Sequence, residues 1–303
     1  MKRAIVTGAT GAVGTALLKE LVKNKVEVLV ICREKSKRNK NIPKDPLIKQ
    51  INCDLSNLSE LKNTTGNKWD VFYHLAWMGT TGVARNDMYL QNKNVEYALD
   101  AVKIAKRFGC STFIGIGSQA EYGRYEGILE VDTPTYPEMG YGYAKLCAGQ
   151  MTRGYAHELG LQHIWVRILS IYGPNDGMQS MIMSTINKLL NRQVPQLTLG
   201  EQLWDYLYSE DAARALYLLA NKGKDGKIYV LGSGQAKPLA EYVSIIKNEI
   251  NPSAEIAFGA IPYSIKQVMH LQADISELVG DTGWKPEVDF KEGIENIIRE
   301  INR

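Results

Sequence analysis

A short glycine-rich stretch near the start of the chain places the tightest constraint on its fold. Residues 4–7 form an apolar run typical of a buried strand, and residues 14–24 carry leucines and valines at helical spacing. Glycines between the two permit a tight turn, close approach of the backbone to a phosphate and close packing of helix on strand. The helix N-terminus then presents free N–H groups to an anion. The residues predicted to form this dinucleotide-binding turn are Gly8, Thr10, Gly11, Ala12, Val13 and Gly14.

Short apolar runs and amphipathic stretches alternate along the first half of the chain. Further strands are predicted at residues 26–32, 48–53, 71–77, 112–117 and 163–168, and helices at residues 58–63, 92–108 and 142–159. This alternation predicts an α/β fold with a doubly wound parallel sheet of the Rossmann type.

The pattern breaks after Tyr172, where loops and shorter segments follow. We therefore expect a dinucleotide-binding domain over residues 1–171 and a smaller, mainly substrate-binding C-terminal lobe over residues 172–303. Residues 206–221 are rich in alanine and leucine, which suits a helix packed on the sheet, and we expect them to return to the first domain.

The bulk composition excludes several classes of partner. The chain has 303 residues and a formal net charge of +3, which is too mild to indicate a nucleic-acid-binding protein. The four cysteines show no metal-ligand spacing, so we expect buried free thiols and no bound metal. No stretch has the pattern of a signal peptide or a membrane span. We expect a cytoplasmic protein without nucleic-acid or membrane partners.

The residues after the second predicted strand indicate which nicotinamide cofactor binds. A carboxylate there would accept hydrogen bonds from the ribose 2′-hydroxyl, whereas an arginine would accommodate a 2′-phosphate. Residues 32–38 contain Arg33, which can clamp a phosphate with two hydrogen bonds, together with further lysines. This pattern favours NADP(H). Glu34 leaves NAD(H) as the alternative.

Three polar residues indicate acid–base chemistry beside that cofactor. Tyr141 and Lys145 stand four residues apart at the start of a predicted helix, so their side chains share one face. We expect the ammonium to lower the pKa of the phenol, which could then exchange a proton with a carbonyl or hydroxyl oxygen. Ser118 follows the fifth predicted strand, at the sheet edge where ligands gather, and can hold the same oxygen.

With these motifs in place, the chain resembles the extended short-chain dehydrogenase/reductase family, in its branch of nucleotide-sugar epimerases, dehydratases and reductases. The resemblance covers nearly the whole chain. The matching stretches are residues 7–14, 53–55, 74–76, 117–123, 141–145, 166–174 and 204–211.

The resemblance implies roles for further residues. Asp54, with Leu55 beside it, would contact the adenine edge, and Ala76 would line the cofactor near the nicotinamide-side ribose. Lys145 would also bond the ribose hydroxyls, and the backbone near Pro174 would face the nicotinamide. The small lobe would hold the nucleoside diphosphate of a sugar-nucleotide substrate, and the family's habit implies a homodimer through the helices at residues 92–108 and 142–159.

A histidine and a tryptophan also bear on the predicted site. His74 lies within an apolar strand, which favours a core histidine over a catalytic one. Trp204 stands where many relatives carry an arginine near the substrate phosphates, so that clamp is in doubt in this chain. Lys188 and Arg192 are candidates to replace it.

The resemblance leaves several reactions open. Dehydratases of the family carry Thr-Asp-Glu where this chain has Ser118, Gln119 and Ala120, which disfavours elimination of water. The NADP(H) preference favours reduction of a nucleotide-linked 4-keto(-6-deoxy) sugar by NADPH to the deoxysugar. A sugar-nucleotide 4-epimerase with tightly bound NAD is the alternative. A non-catalytic NADP-binding sensor is disfavoured because the tyrosine and lysine are present.

Overall fold

In the computed structural model, which describes residues 1–302, strands and helices alternate as the sequence predicts. The strands are β1 Arg3–Thr7, β2 Glu27–Cys32, β3 Ile48–Asn52, β4 Val71–His74, β5 Thr112–Ser118, β6 Gln162–Ile168, β7 Ser170–Tyr172, β8 Leu203–Trp204, β9 Tyr206–Tyr208, β10 Ile228–Leu231, β11 Lys237–Pro238 and β12 His270–Leu271. The α-helices are α1 Ala12–Lys23, α2 Met88–Arg107, α3 Gly140–Glu158, α4 Met181–Leu190, α5 Ser209–Lys222, α6 Leu239–Ile250, α7 Ser276–Thr282 and α8 Phe290–Ile301.

Seven of these strands form one parallel sheet in the order β3-β2-β1-β4-β5-β6-β10. The first six follow the strand order of doubly wound dinucleotide-binding folds, with the reversal between β1 and β4. Side chains alternate between the two faces, so Val28 packs toward α1 and α5 while Leu29 packs toward α2. The predicted fold class is confirmed.

Three elements differ from the sequence prediction. The expected helix at residues 58–63 is a short 3-10 helix, Leu55–Glu60, which begins where the Asp54 side chain accepts from the N–H of Ser56. The strand predicted at residues 71–77 is shorter, since it ends at His74 and the chain then leaves the sheet. The seventh strand, β10, was not predicted, although its four residues pair with β6.

The second half of the chain builds a separate apolar core. Tyr172 and Tyr208 pack there with one face each of α4, α6 and α8, through Ile186, Ile246 and Ile294. By contrast, α5 packs against α1 and the main sheet. Residues after 172 thus contribute to both assemblies, and the division of the chain at residue 171 stays a prediction.

All four cysteines are unpaired. Cys32 and Cys110 are buried and Cys53 is half-buried, but Cys147 is exposed on α3, so the expectation that all four are buried is wrong for this one. Within residues 1–302, no helix has the length and apolar character needed to cross a bilayer.

Candidate active site

The turn between β1 and α1 depends on two glycines. Gly8 has a φ of +73°, and a Cβ there would lie 2.5 Å from the backbone nitrogen of Ala76 on the neighbouring strand's loop. A Cβ on Gly14 would overlap the carbonyl oxygen of Gly8, so only glycine lets the helix pack this close to the turn. The N-cap residue, Gly11, offers no side-chain cap, which leaves the first N–H groups of α1 free for an anion.

Two neighbouring cavities open at the carboxyl ends of the sheet strands, with volumes of about 650 and 500 Å³. Gly8 and Gly11 line both of them. Of the other predicted site residues, Ala12, Val13, Gly14, Ser118 and Tyr141 line the larger cavity, and Thr10, Arg33, Asp54, Leu55 and Ala76 line the smaller one. Pro174, two residues after β7, lines neither cavity, and nor does Lys145. The glycine turn lies in the shared wall of the two cavities, which together are called the cleft below.

Ser118 and Tyr141 meet in the larger cavity. Ser118 ends β5, and its hydroxyl donates to Gln119 Oε1 at 3.0 Å and accepts from the N–H of Ala120 at 3.2 Å. Tyr141 is the second residue of α3 and lines the same cavity as Ser118. Burial raises the pKa of Tyr141, and the polar side chain of Ser118 and the charge of Arg85 oppose that rise only in part. The phenol is therefore protonated at neutral pH.

Lys145 does not act on the phenol as the sequence analysis expected. Its Nζ lies 5.8 Å from the centre of the Tyr141 ring, donates to the carbonyl oxygen of Ile116 at 2.6 Å and sits 3.7 Å above the Trp77 ring. Burial lowers the pKa of Lys145 to about 7. The expected fall in the pKa of Tyr141 is wrong for this structure because burial dominates and the ammonium points elsewhere.

A buried ion pair supports Ser118 from behind. Glu121 accepts from the Ser118 N–H at 2.8 Å, from Arg167 Nε at 2.8 Å and from Trp165 Nε1 at 3.1 Å. Glu121 and Arg167 are both almost wholly buried, so each needs the other. The sequence analysis did not single out this pair, because its members lie 46 residues apart, Glu121 in the 3-10 turn after β5 and Arg167 on β6.

Two arginines approach the smaller cavity. Arg33 lines it as predicted, and its carbonyl oxygen accepts from Asn39 Nδ2 at 2.7 Å. Arg38, which was not predicted, donates through Nη2 to the carbonyl oxygens of Thr10 at 3.2 Å and Asn175 at 3.0 Å. Arg38 therefore reaches across the mouth of the glycine turn.

The structure also places the four residues whose roles the sequence analysis questioned. His74 is buried, with Nδ1 3.0 Å from the Thr7 hydroxyl, and burial lowers its pKa to about 3, as suits a core histidine. Trp204 lines the larger cavity and donates to the Ser170 hydroxyl at 2.8 Å. Of the described residues, neither Lys188 nor Arg192 is among those that line the cleft.

The cleft fits a nicotinamide dinucleotide. Its glycine cradle has no room for a Cβ, the uncapped N-terminus of α1 suits a pyrophosphate, and Arg33 and Arg38 stand at one end. The hydroxyls of Ser118 and Tyr141 stand at the other end. This fold with this site defines a nicotinamide-dependent enzyme of the Rossmann class.

The chain belongs to the NAD dependent epimerase/dehydratase family, whose model matches residues 4–232. The resemblance inferred from the sequence motifs is thereby confirmed.

Three curated relatives illustrate the range of the family. The chain is 25% identical to a putative UDP-glucose 4-epimerase of Methanocaldococcus jannaschii, covering 97% of this chain and 96% of that one. It is 23% identical to CDP-abequose synthase of Salmonella typhimurium, covering 98% and 97%. It is 28% identical to dTDP-4-dehydro-6-deoxyglucose reductase of Escherichia coli, covering 64% of this chain and 62% of the relative.

Solved structures share the fold over the full chain. UDP-glucose 4-epimerase of Thermotoga maritima with UDP-glucose superposes with a TM-score of 0.87 at 20% identity, covering 99% of this chain and 100% of that one. RMD from Pseudomonas aeruginosa, complexed with NADPH, superposes with a TM-score of 0.82 at 21% identity, covering 99% and 98%. These likenesses concern the fold alone.

Proposed function

We propose that the protein uses NADPH to reduce a nucleotide-linked 4-keto(-6-deoxy) sugar to the corresponding deoxysugar. The observation that carries the proposal is the position of Tyr141 and Ser118, which line the larger cavity together with the glycine turn. Reduction of a carbonyl needs a proton donor at its oxygen. A phenol whose pKa is raised holds that proton ready at neutral pH.

The residues divide the work as follows. NADPH supplies the hydride when it is bound. Tyr141 donates its proton to the sugar carbonyl oxygen, and Ser118 holds that oxygen in place by a hydrogen bond. Lys145, whose Nζ bonds the Ile116 carbonyl oxygen, would hold the cofactor ribose, as the family resemblance implies. Glu121 fixes the backbone of Ser118, and so keeps the hydroxyl in register with the phenol.

The smaller cavity supports the choice of NADPH. Arg33 lines it, and Arg38 reaches the glycine turn from the same segment. Two guanidinium groups near the expected ribose 2′-position favour a 2′-phosphate through charge-assisted hydrogen bonds. NAD(H) remains the alternative, and an NADPH complex is known for the fold neighbour from Pseudomonas aeruginosa.

The relatives support a nucleotide-sugar substrate and include both candidate reactions. A reductase and a synthase of deoxysugars stand beside epimerases. A 4-epimerase is the second candidate, favoured by the relative from Methanocaldococcus jannaschii that matches 97% of this chain. An epimerase would return its cofactor to the starting state in each turnover, whereas a reductase consumes one NADPH for each product.

The test is to incubate the protein with NADPH and a panel of 4-keto-sugar nucleotides carrying uridine, thymidine, cytidine or guanosine. We expect one NADPH to be oxidised for each sugar reduced, followed by the absorbance of the reduced nicotinamide and by product mass. A parallel panel of ordinary hexose nucleotides with NAD tests the alternative. Interconversion of epimers without net cofactor consumption would replace the reductase by the epimerase. Cofactor binding without any turnover would indicate a sensor.

Two further properties belong to the proposal. We expect the cytosol as the compartment, since four unpaired cysteines suit a reducing environment. We also expect a homodimer through α2 and α3, which pack side by side and expose Tyr89 and Met151. Light scattering would test it, because a mass near that of one 33.8 kDa chain would contradict the dimer.

A further inference from the structure

An arginine, Arg85, lies over the ring of Tyr141. The guanidinium carbon of Arg85 lies 4.7 Å from the centre of the Tyr141 ring, and Arg85 lines the larger cavity beside Ser118. Its Nε is buried, and no acceptor among residues 1–302 lies within hydrogen-bond reach of it. A buried N–H of a charged group without a partner costs free energy, so this position calls for an explanation.

The loop that carries Arg85 is held by a buried glutamine. Gln91 of α2 donates through Nε2 to the carbonyl oxygens of Gly79 at 2.8 Å and Ala84 at 3.0 Å. Its Oε1 accepts from Trp77 Nε1 at 2.8 Å. The Gln91 side chain therefore bonds three groups between residues 77 and 84, and it holds the 3-10 turn Gly82–Asn86, which contains Ala84 and Arg85.

Two asparagines complete the support. Asn94 accepts from the N–H of Met78 at 2.8 Å and donates to its carbonyl oxygen at 3.0 Å. Asn86, next to Arg85, accepts from the N–H of Gly140, the first residue of α3, at 2.9 Å. The backbone of the arginine is thus tied to the helix that carries Tyr141, and the two side chains are held in one arrangement before any ligand arrives.

The charged groups of the surroundings leave Arg85 available. No carboxylate within residues 1–302 forms an ion pair with it. Glu121 is engaged by Arg167 and Ser118 behind the sheet edge. No hydrogen bond or ion pair within residues 1–302 engages the Arg85 guanidinium, which belongs to a residue that lines the larger cavity. A ligand oxygen in that cavity, a few ångströms from the Tyr141 ring, can therefore accept from one of its N–H groups.

We propose that Arg85 anchors the sugar ring of the substrate by donating a guanidinium N–H to a hydroxyl oxygen next to the carbon whose oxygen Ser118 and Tyr141 hold. This inference rests on the proposed function, because it takes the ligand of the larger cavity to be a nucleotide-linked hexose. It assigns a contact to the sugar itself, whereas the nucleoside diphosphate binds elsewhere in the cleft. Arg85 then favours hexoses that carry a hydroxyl group at that position.

The test compares the affinity of a nucleoside diphosphate with that of the same nucleotide carrying a hexose. Isothermal titration with UDP and UDP-glucose, and with the matching thymidine, cytidine and guanosine pairs, gives both dissociation constants. The quantity of interest is the dissociation constant of the nucleoside diphosphate divided by that of the nucleotide sugar. Arg85→Gln should lower that ratio about tenfold, because it removes a charge-assisted hydrogen bond to the sugar alone. The affinity for the free nucleoside diphosphate should change less than about twofold.

Two more variants make the result decisive. Arg85→Lys keeps the charge but loses the planar guanidinium with its fixed donor geometry, so the ratio should fall by a smaller factor of about three. If Arg85→Gln does not fold, as judged by loss of NADPH binding, Arg85→Lys carries the test. Arg299→Gln is the matched control, because Arg299 is exposed on α8 and bonds only Asn296 among the described contacts, and it should leave the ratio unchanged.

The outcomes separate the two proposals. An unchanged ratio in folded Arg85 variants would overturn the sugar contact and leave the proposed function standing. A wild-type protein that binds none of the nucleotides or nucleotide sugars would overturn the proposed function and the anchor with it.

Discussion

A single proton decides what the site can do, and the surroundings of Tyr141 hold that proton on the phenol. Burial raises its pKa, and the two groups that oppose this are the Ser118 hydroxyl and the Arg85 guanidinium rather than Lys145. A phenol that is protonated at neutral pH can act as a proton donor. Lys145, with a pKa lowered to about 7, bonds the Ile116 carbonyl oxygen, and its Nζ lies 5.8 Å from the centre of the Tyr141 ring.

The two arginines at the smaller cavity give a prediction at this scale. Arg33→Ala and Arg38→Ala should each weaken NADPH about tenfold, because each removes a charge-assisted hydrogen bond to the 2′-phosphate. NADH should bind as it does to the wild type. Titration of both cofactors by fluorescence measures the preference. Equal losses for NADPH and NADH would show that these residues support the loop rather than read the phosphate.

The sequence could name some site residues and not others. Spacing and position identified Gly8, Gly14, Ser118 and Tyr141, because a turn between strand and helix and a strand end are local patterns. Arg38 and Arg85 carry no such pattern. Their importance comes from where loops of the folded chain bring them, and only coordinates show that.

At the scale of elements, β6 places a histidine between aromatic rings. The His163 ring stacks between Phe113 at 5.8 Å and Trp165 at 6.2 Å, and its Nε2 lies 3.0 Å from the Thr152 hydroxyl. Burial, with the nearby charges of His157 and Arg153, lowers its pKa to about 4. The folded protein therefore holds this histidine neutral in a range where the unfolded chain binds a proton.

This difference predicts a pH dependence of stability. Between pH 6.5 and pH 4 the unfolded state binds one more proton at His163, so the free energy of unfolding falls as the pH falls. His163→Phe keeps a ring in the stack and removes the proton. From pH 7.5 to pH 5, the wild type should lose about 2 kcal/mol more than the variant.

Urea denaturation at the two pH values measures this loss. Thr152 keeps a bond to the Ala148 carbonyl oxygen at 2.6 Å in the variant, so the substitution leaves no hydroxyl stranded. Parallel pH profiles for the two proteins would contradict the assignment.

Helices and strands could be predicted well where the apolar residues recur with a clear period, and only weakly elsewhere. The 20 residues of α2 carry a clear apolar face, and the helix was expected at nearly its observed bounds. The four residues of β10 are too few for a period, and only pairing with β6 makes them a strand. The turn Leu55–Glu60 tightens into a 3-10 helix because it is short and capped at once by Asp54.

At the scale of the whole molecule, the cleft takes one wall from each half of the chain. The carboxyl ends of β5 and β6 supply Ser118 and Ile168, while the later residues Met181, Trp204 and Tyr206 face them across the larger cavity. The first half therefore presents the proton donor, and the second half closes over the place where we expect the sugar nucleotide. The sequence analysis did not expect Trp204 to line this cavity with its indole bonded to Ser170.

The most direct test of the account is the Tyr141→Phe variant, assayed for NADPH oxidation with the keto-sugar nucleotide that the wild type reduces. Removing the only proton donor proposed for the carbonyl oxygen should lower the rate by a factor of about 10² to 10⁴. The dissociation constant for NADPH should stay within about twofold, because the ring still packs beneath Arg85. Turnover at the wild-type rate in this variant would contradict the assignment of Tyr141 as the proton donor.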